Sequence, residues 1–267
     1  MMTHDDEGDL MSLTAALVYL ASQGAPRLSS RVLASSGYSR NLGKLGPPGE
    51  FTAWGAATAH RQEDAWRPIV EAAKRGEPRE DVAALYSALQ PLATGAASLL
   101  EVGCGGGHNS ELITMRYKGI RYSGIDISAA MIDVARARYP GRGFSVGDAY
   151  ELAEPVDSQD IVLDGVALIH MPDWPTALRE YARVSVGHVV LHGLTLTDAV
   201  PTTPFVKYAY GQPTMEFAFN REAIQTECEA LGLELVASFG GLDYDLKHYI
   251  GVPSVSETWV FRVKTAE

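Results

Sequence analysis

SLLEVGCGGGHNS, residues 98–110, joins a short apolar run to a glycine-rich turn and then to polar residues that open a helical pattern. A continuous hydrophobic run of this kind is typical of a buried parallel strand. Glycine has no Cβ and tolerates positive φ, so the turn lets a ligand approach the backbone closely. The helix start offers free N–H groups and a partial positive charge to an anionic group. We therefore expect the turn to hold a small ligand with a carboxylate or phosphate end, and Glu101 beside it indicates that the ligand also carries a cation.

The chain after this stretch alternates strand-like and helix-like segments, which is the signature of a doubly wound α/β sheet. Predicted strands cover residues 98–103, 121–126, 143–148, 160–165, 188–194, 233–239 and 256–263. Predicted helices cover residues 109–116, 128–139 and 220–231, and another begins near Asp173. The last two strands have no helix pattern between them, which is expected if they form an antiparallel pair.

The N-terminal part of the chain has a different pattern. Residues 35–49 are rich in glycine, serine and proline and read as a loop, whereas residues 51–95 carry apolar residues at helical spacing. We therefore expect residues 1–95 to form a helical cap and residues 96–267 to form the sheet domain, the two parts making one compact unit.

Length, charge and cysteine content narrow the function classes. The 267 residues fit one large α/β domain with an appendage. A formal net charge of −11 argues against a nucleic-acid backbone as the main partner, because such binders usually show a basic face. The two cysteines, Cys104 and Cys228, fit neither a disulfide framework nor a metal site.

The apolar segment MSLTAALVYLASQG, residues 11–24, follows an acidic start rather than the basic start of a secretory signal. It is also too short to span a bilayer. We therefore expect a cytoplasmic protein without a membrane partner. The segment predicts an amphipathic helix that packs on the domain or on a partner chain, which would allow a homodimer.

The spacing of the glycines separates two classes of cofactor. Nicotinamide and flavin enzymes use the fingerprint G-x-G-x-x-G after their first strand. Gly103 and Gly105 fit it, but His108 occupies the last position. The pattern present is E-x-G-x-G-x-G, which begins at Glu101. A nicotinamide-dependent reductase stays open as a rival interpretation that would need a different glycine register.

Acidic residues follow three of the predicted strands. Asp126 ends the second strand, at roughly the distance from the turn where an acid can accept hydrogen bonds from ribose hydroxyls. Asp148 follows the third strand, and the small Ala149 beside it leaves room for a ring. Asp164 ends the fourth strand, at the carboxyl edge where open α/β sheets bind ligands. Taken alone, each acid could be a turn or cap residue. Their occurrence together, each at the end of a predicted strand, favours ligand binding.

Four motifs occur in order along the sheet domain: E-V-G-C-G-G-G, G-I-D-I-S-A-A-M, G-D-A and D-I-V-L-D-G-V-A-L-I-H-M-P-D-W. Together they resemble the class I S-adenosylmethionine-dependent methyltransferase superfamily. The resemblance is clear over residues 98–194 and looser over the last two strands. It implies a Rossmann-like, seven-stranded sheet with an antiparallel last strand, S-adenosylmethionine as cofactor and S-adenosylhomocysteine as product.

The resemblance also implies which residues bind the cofactor. Asp126 would hold the ribose, and Glu101 would lie near the methionine ammonium group. Cys104 would be a packing residue and not a nucleophile. The methionine part would contact Gly103, Cys104, Gly105, Asp164 and Gly165, and adenine would be bordered by Ile127, Met131, Asp148 and Ala149.

Methyl transfer from a sulfonium depends mainly on positioning and on exclusion of water, and some acceptors also need a general base. Histidine suits that role near neutral pH. His170 follows the fourth predicted strand, and His192 lies at the end of the fifth. Each is either a general base or a packing residue. The chain lacks acids spaced as an evident Mg²⁺ site, so we expect no metal.

The acceptor side of the site is less defined by sequence. Residues 197–217 are rich in proline and threonine and predict a long loop or lid. Candidate acceptor-lining residues are Tyr208, Tyr210, Asp243, Tyr244 and His248, and candidate cover residues are Trp54, Arg61 and Asp64.

The sequence thus predicts a methyltransferase that acts on oxygen, nitrogen or carbon of a small molecule, in natural-product or modified-sugar biosynthesis. Two alternatives stay open. One is a protein that binds S-adenosylmethionine or S-adenosylhomocysteine without catalysis, and the other, less favoured, is the nicotinamide-dependent reductase.

Overall fold

Ten strands and seven α-helices occur in the part of the chain that the computed structural model describes, residues 37–45, 54–209 and 212–264. The strands are β1 (Tyr38–Ser39), β2 (Ser98–Val102), β3 (Arg121–Asp126), β4 (Gly143–Val146), β5 (Gln159–Asp164), β6 (Ser185–Thr197), β7 (Thr203–Ala209), β8 (Gln212–Asn220), β9 (Leu233–Gly240) and β10 (Val255–Val263). The helices are α1 (Ala56–Lys74), α2 (Glu80–Leu89), α3 (His108–Arg116), α4 (Ala129–Arg138), α5 (Trp174–Val184), α6 (Arg221–Ala230) and α7 (Lys247–Ile250). The predicted helix over residues 11–24 lies outside the described residues.

Seven of the strands form the predicted doubly wound sheet, in the order β4-β3-β2-β5-β6-β10-β9. Strands β4, β3, β2, β5 and β6 pair in parallel, and β10 is antiparallel to both of its neighbours, β6 and β9. The prediction of a seven-stranded sheet with an antiparallel last strand is confirmed. Strand order reverses between β2 and β5, and such a switch point opens a crevice at the carboxyl ends of the strands.

Three further strands extend the sheet beyond this core. Strands β7 and β8 form an antiparallel hairpin, β8 pairs with the end of β6, and β1 pairs with β7. The prediction of a long loop over residues 197–217 is therefore wrong. The proline and threonine content of this segment is typical of a loop. Threonine, valine and phenylalanine nevertheless favour strands when a neighbouring strand is present to pair with.

Helices cover both faces of the sheet. On β5, Ile161 and Leu163 pack in the cluster that contains Leu85 of α2, whereas Val162 packs in the cluster that contains Leu178 of α5. This alternation follows from the two-residue period of a strand. Helix α2 therefore belongs to the layer that buries the sheet, although it lies within residues 1–95.

Helix α1 lies against α3 and α4 and brings its residues over the glycine-rich turn. Helix α4 begins as predicted at Ser128, whose hydroxyl accepts a hydrogen bond from the N–H of Met131 at 3.2 Å. Within the described ranges, none of these helices combines the length and the apolar character needed to cross a membrane.

Candidate functional site

A cavity of about 450 Å³ opens at the carboxyl ends of the parallel strands, beneath α1 and beside the β7–β8 hairpin. Its size is within the range of small-molecule sites. Among the predicted site residues, the cavity is lined by Gly103, Gly105, Asp126, Ile127, Met131, Asp148, Ala149, Gly165, His170 and His192. Glu101, Cys104 and Asp164 do not line it.

Two glycines shape the turn that forms the cavity floor. Gly103 and Gly105 adopt φ values of +72° and +53°, in the left-handed region that favours glycine. A Cβ on Gly103 would lie 2.1 Å from the Cβ of Ala167, and one on Gly105 would lie 2.7 Å from Oε1 of Gln62. The backbone conformation and the close approach of Ala167 and Gln62 therefore both require glycine at these positions.

Asp126 is held at the end of β3 by two backbone N–H groups. Its Oδ2 accepts from Gly105 and its Oδ1 accepts from Ser128, both at 2.9 Å. Burial raises the pKa of this carboxyl, and the two hydrogen bonds oppose that change. The Ser128 hydroxyl also donates to the carbonyl of Trp54 at 2.5 Å, which ties the segment before α1 to this end of the cavity.

A second carboxylate lies at the same end. Oδ1 of Asp148 accepts from the N–H of Tyr150 at 2.9 Å, and Ala149 is buried beside it. The apolar side chains of Ile127 and Met131 also line this region. We call this part, from Asp126 to Ala149, the nucleoside end of the cavity, after the ribose and adenine contacts that the sequence predicts for it.

Glu101 lies beneath the floor of the cavity. Its Oε1 accepts from Nδ2 of Asn109 at 2.7 Å, its Oε2 accepts from the Tyr122 hydroxyl, and the side chain is fully buried. Burial raises the pKa of this carboxyl, while Tyr122 and Asn109 oppose the change. Contact of Glu101 with an ammonium group stays a prediction, because Asn109 and not Glu101 reaches the cavity wall.

The side chain of Cys104 points into a hydrophobic cluster with Ile132, Ala135 and Phe144. Its N–H is already used, since it donates to the carbonyl of Ile125 at 2.9 Å. Burial raises the pKa of the thiol well above its usual value, so the thiolate is disfavoured. The Cys104 side chain is thus a packing residue, as expected, and contact of this position with the methionine part of the cofactor stays a prediction.

Asp164 faces the turn that follows β5 rather than the cavity. Its carboxylate accepts from the N–H groups of Ala167 at 3.0 Å and Leu168 at 2.9 Å, and from the Tyr181 hydroxyl at 2.9 Å. Burial raises the pKa of Asp164 to about 7. These bonds hold a turn in which Val166 has a φ of +66°. A fully buried acid needs such internal donors, and proximity of Asp164 to the cofactor stays a prediction.

A charged pair faces the cavity near the start of α3. The guanidinium of Arg79 donates to both oxygens of Asp81, at 2.7 and 2.6 Å. Burial would raise the pKa of Asp81, but Arg79 holds it below its usual value. Arg79 also lies 4.8 Å from the ring centre of Trp66, which stacks on His108 at 4.0 Å. We call this group the charged-pair end of the cavity.

His192 lies near the charged pair and is buried. Its Nδ1 is 2.8 Å from Oγ1 of Thr258 on β10. Burial lowers the pKa of His192 to about 4, although Asp81 opposes that change. The imidazole is therefore neutral at pH 7.

His170 lies in the short helical turn Leu168–His170 and faces a different part of the cavity. Its Nδ1 is 2.8 Å from the carbonyl oxygen of Met215, and the ring meets Trp54 edge-on at 5.1 Å. A carbonyl oxygen only accepts, so Nδ1 carries the proton of the neutral ring and Nε2 remains an acceptor. Burial lowers the pKa of His170 and keeps the ring neutral.

The hairpin contributes an ion pair to the cavity wall, between a buried glutamate and a partly exposed lysine. Oε1 of Glu216 on β8 is 3.2 Å from Nζ of Lys207 on β7, and its Oε2 accepts from the Tyr244 hydroxyl at 3.1 Å. The Lys207 ammonium lies 4.8 Å from the ring centre of Tyr244. We call this group, with His170, the hairpin end of the cavity.

Several lining residues were not found by sequence reasoning, namely Gln62, Trp66, Arg79, Asp81, Lys207 and Glu216. If residues 203–209 and 214–220 are taken as strands, the two-residue period of their side chains places Lys207 and Glu216 on one face of a hairpin. Of the predicted acceptor and cover residues, Tyr244 and Trp54 line the cavity, whereas Arg61, Asp64, Asp243 and His248 do not. The side chain of Tyr208 and the whole of Tyr210 lie outside the described residues.

Comparison with known proteins matches the part of the chain that contains the glycine-rich turn and the end of the cavity from Asp126 to Ala149. Residues 100–190 match the family described as "Methyltransferase domain". The malonyl-[acyl-carrier protein] O-methyltransferase of Serratia marcescens is 31% identical over 151 residues, which are 55% of this chain and 57% of that protein. The trans-aconitate 2-methyltransferase of Paracidovorax citrulli is 36% identical over 74 residues, 27% of this chain and 28% of that protein. The match therefore spans little more than half of one relative and about a quarter of the other.

Solved structures share the fold at low identity. A SAM-dependent methyltransferase of Methanosarcina mazei has a TM-score of 0.54 at 17% identity, covering 67% of this chain and 97% of that one. A 1,6-didemethyltoxoflavin-N1-methyltransferase of Burkholderia thailandensis, solved with S-adenosylhomocysteine, has a TM-score of 0.54 at 16% identity, covering 78% and 89%. These matches confirm the fold.

Proposed function

We propose that this chain, a member of the class I S-adenosylmethionine-dependent methyltransferase superfamily, transfers a methyl group from S-adenosylmethionine to a small-molecule acceptor. The observation that carries the proposal is one continuous cavity with three chemically different ends: a nucleoside end, a charged-pair end and a hairpin end. A cofactor that consists of a nucleoside and an amino acid would use the first two. The third leaves space for an acceptor.

The nucleoside end suits adenosine. Asp126 is fixed by Gly105 and Ser128, so its remaining lone pairs can accept hydrogen bonds from two ribose hydroxyls. Adenine would pack between Ile127 and Met131, and Asp148 would accept from its exocyclic amine. The exposed fraction of Ile127, 39%, would fall on binding because adenine would cover that side chain.

The charged-pair end suits the amino-acid part. An amino-acid zwitterion presents a carboxylate and an ammonium group, and Arg79 and Asp81 present the matching opposite charges. The turn through Gly103 and Gly105 would pass closely beneath it, since no Cβ stands in the way. The predicted contact of Glu101 with the ammonium group could then be indirect, through Asn109.

The chemistry supplied by the bound cofactor is an electrophilic methyl group on a positively charged sulfur. The chain contributes positioning and exclusion of water: Trp54, Gln62 and Trp66 form the roof, and the hairpin closes the side. His170 would accept a hydrogen bond or a proton from the acceptor at Nε2. His192 is bonded to Thr258 and lies by the charged pair, which favours a role in shaping the cofactor site.

Calorimetry on the full chain with S-adenosylmethionine, S-adenosylhomocysteine and NADH tests the proposal. Binding of the first two and not of NADH supports it. Binding of NADH alone would restore the reductase interpretation. Binding of both S-adenosyl compounds with an acceptor end that takes no small molecule would favour the non-catalytic alternative. Action in natural-product or modified-sugar biosynthesis, a cytoplasmic location and a homodimer stay predictions.

A further inference from the structure

The hairpin end contains a carboxylate that is nearly inaccessible to solvent and yet forms part of the cavity wall. Glu216 is 2% exposed, and each of its oxygens has one partner, Lys207 or Tyr244. A buried carboxylate is costly unless it is paired and hydrogen-bonded. Each oxygen still has a lone pair for a further donor. A ligand at this end would therefore meet an acceptor that is already in place.

His170 adds a second acceptor to the same end. Its Nδ1 faces the carbonyl of Met215, so the neutral ring offers Nε2 as an acceptor. The protein donors described at this end, the Tyr244 hydroxyl and the Lys207 ammonium, are both directed to Glu216. The subsite is thus rich in acceptors, and its complement is a molecule that supplies N–H or O–H groups.

The charge of the lining points to the same class of molecule. The described residues that line the cavity include two permanent cations, Arg79 and Lys207, and each is paired with its own lining carboxylate, Asp81 or Glu216. Asp126 and Asp148 at the nucleoside end add further negative charge. At the hairpin end, the cation that the described lining presents is Lys207, whose charge Glu216 already offsets, so a carboxylate-bearing acceptor would meet the negative charge of Glu216 without a counter-ion of its own.

We propose that the hairpin end is the acceptor subsite and that it selects an uncharged or cationic molecule whose N–H or O–H group donates to Glu216 and to Nε2 of His170. This inference rests on the proposed function and deepens it. It separates the chain from the two relatives named above, whose names specify malonyl-[acyl-carrier protein] and trans-aconitate.

The reaction at this subsite balances without another reactant. The lone pair of the acceptor nitrogen or oxygen forms the new bond to the methyl carbon, the carbon–sulfur bond breaks, and its electron pair stays on sulfur as a neutral thioether. The proton of the acceptor passes to Nε2 of His170 and then to solvent. Glu216 holds the donor group in line and keeps its own charge throughout.

A matched set of ring compounds tests the selection. Catechol, 2-aminophenol and phthalate share one ring and differ in the two neighbouring substituents, and trans-aconitate serves as an acyclic polycarboxylate. Binding of each to the full chain saturated with S-adenosylhomocysteine is followed by ligand-observed NMR. We expect catechol or 2-aminophenol to bind at least tenfold more tightly than phthalate and trans-aconitate. Equal or tighter binding of the carboxylates overturns the proposal.

Variants locate the effect at Glu216. Glu216→Gln keeps the shape of the side chain and removes its charge, so donor probes should bind at least tenfold more weakly while affinity for S-adenosylhomocysteine is unchanged. Glu222→Gln, on an exposed position of α6, is the matched control and should change neither. If Glu216→Gln does not fold, the double variant Lys207→Met with Glu216→Gln removes both charges of the pair and should lose the preference for donors.

Two failures are distinguishable. Loss of S-adenosylhomocysteine binding in the unmodified chain contradicts the proposed function. Retention of that binding, with no tenfold preference for the donor probes or with unchanged donor binding in a folded Glu216→Gln variant, contradicts this inference alone.

Discussion

Asp126 accepts a hydrogen bond from the backbone N–H of Gly105 at 2.9 Å, and this bond joins the end of β3 to the glycine-rich turn after β2. The carboxylate therefore has two functions. It fixes the turn that forms the cavity floor, and it offers its remaining lone pairs to the cavity. The two parts of the candidate cofactor site depend on each other through this contact.

Asp126→Ala should weaken binding of S-adenosylhomocysteine by about 1–3 kcal/mol, because hydrogen bonds from the ribose to a charged acceptor are lost. Isothermal calorimetry measures the change. Asp133→Ala, at an exposed position of α4, is the control and should bind normally. Unchanged affinity in a folded Asp126→Ala variant would show that the ribose lies elsewhere.

Gly103→Ala should lower the free energy of unfolding by about 2–5 kcal/mol, because the residue combines a left-handed φ with a contact of 2.1 Å to Ala167. Gly76→Ala is the matched control, since Gly76 has a φ of +85° and nothing within 4 Å of a new Cβ. It should cost about 1–2 kcal/mol, which is the conformational part alone. Urea denaturation measures both variants. An equal loss of unfolding free energy in Gly103→Ala and Gly76→Ala would show that the turn accommodates the contact with Ala167 at no cost.

The sheet was predictable because its signals are local. The run around Leu99, the helix cap at Ser128 and the strand ending at Asp126 each carry their own pattern, and parallel strands joined by helices have few allowed arrangements. The nucleoside end was predictable for the same reason, since its residues follow strands whose carboxyl ends meet at one edge.

The charged-pair and hairpin ends could not be predicted from local patterns. Arg79 and Asp81 reach the cavity only because α2 packs on the sheet, and Lys207 and Glu216 meet only because β8 pairs with the end of β6. The signals of these residues depend on contacts between distant segments. Glu101 and Asp164, in contrast, were easy to find from their positions in the motifs. Their hydrogen-bond partners were not, because both carboxylates are buried and accept from donors inside the protein.

His170→Gln should lower turnover by about 10²-fold for any acceptor that the unmodified protein methylates. The glutamine amide that replaces the imidazole cannot take a proton as Nε2 does. Affinity for S-adenosylhomocysteine should stay within twofold. Release of S-adenosylhomocysteine measures turnover. His192→Gln provides the comparison, since His192 lies by the charged pair and should change cofactor affinity more than His170 does. Full activity of His170→Gln across pH would remove His170 as a base.

Acid should destabilise the fold through His192. Burial lowers the pKa of this ring to about 4, whereas the unfolded chain binds the proton near pH 6.5. Its contribution is therefore fully present above pH 6.5 and is lost as the pH falls toward 4, by about 3 kcal/mol. Denaturation between pH 4 and 7 should show a shallower loss for His192→Gln than for the unmodified protein.

Asp164→Asn separates a structural acid from a cofactor ligand. The pKa of Asp164 is about 7 in the folded chain and near 4 when unfolded, so ionisation costs stability as the pH rises from 4 to 7. An amide has no such cost. The stability of Asp164→Asn relative to the unmodified protein should therefore rise across this range, by about 1.4 kcal/mol per pH unit.

The same variant should leave the affinity for S-adenosylhomocysteine unchanged, because the donors to Asp164 are Ala167, Leu168 and Tyr181 and its carboxylate does not line the cavity. Calorimetry at pH 7 decides the point, with the unfolding curve of the same sample as the control for folding. A tenfold loss of affinity in a folded Asp164→Asn protein would mean that this acid reaches the cofactor, as its position after β5 first predicted.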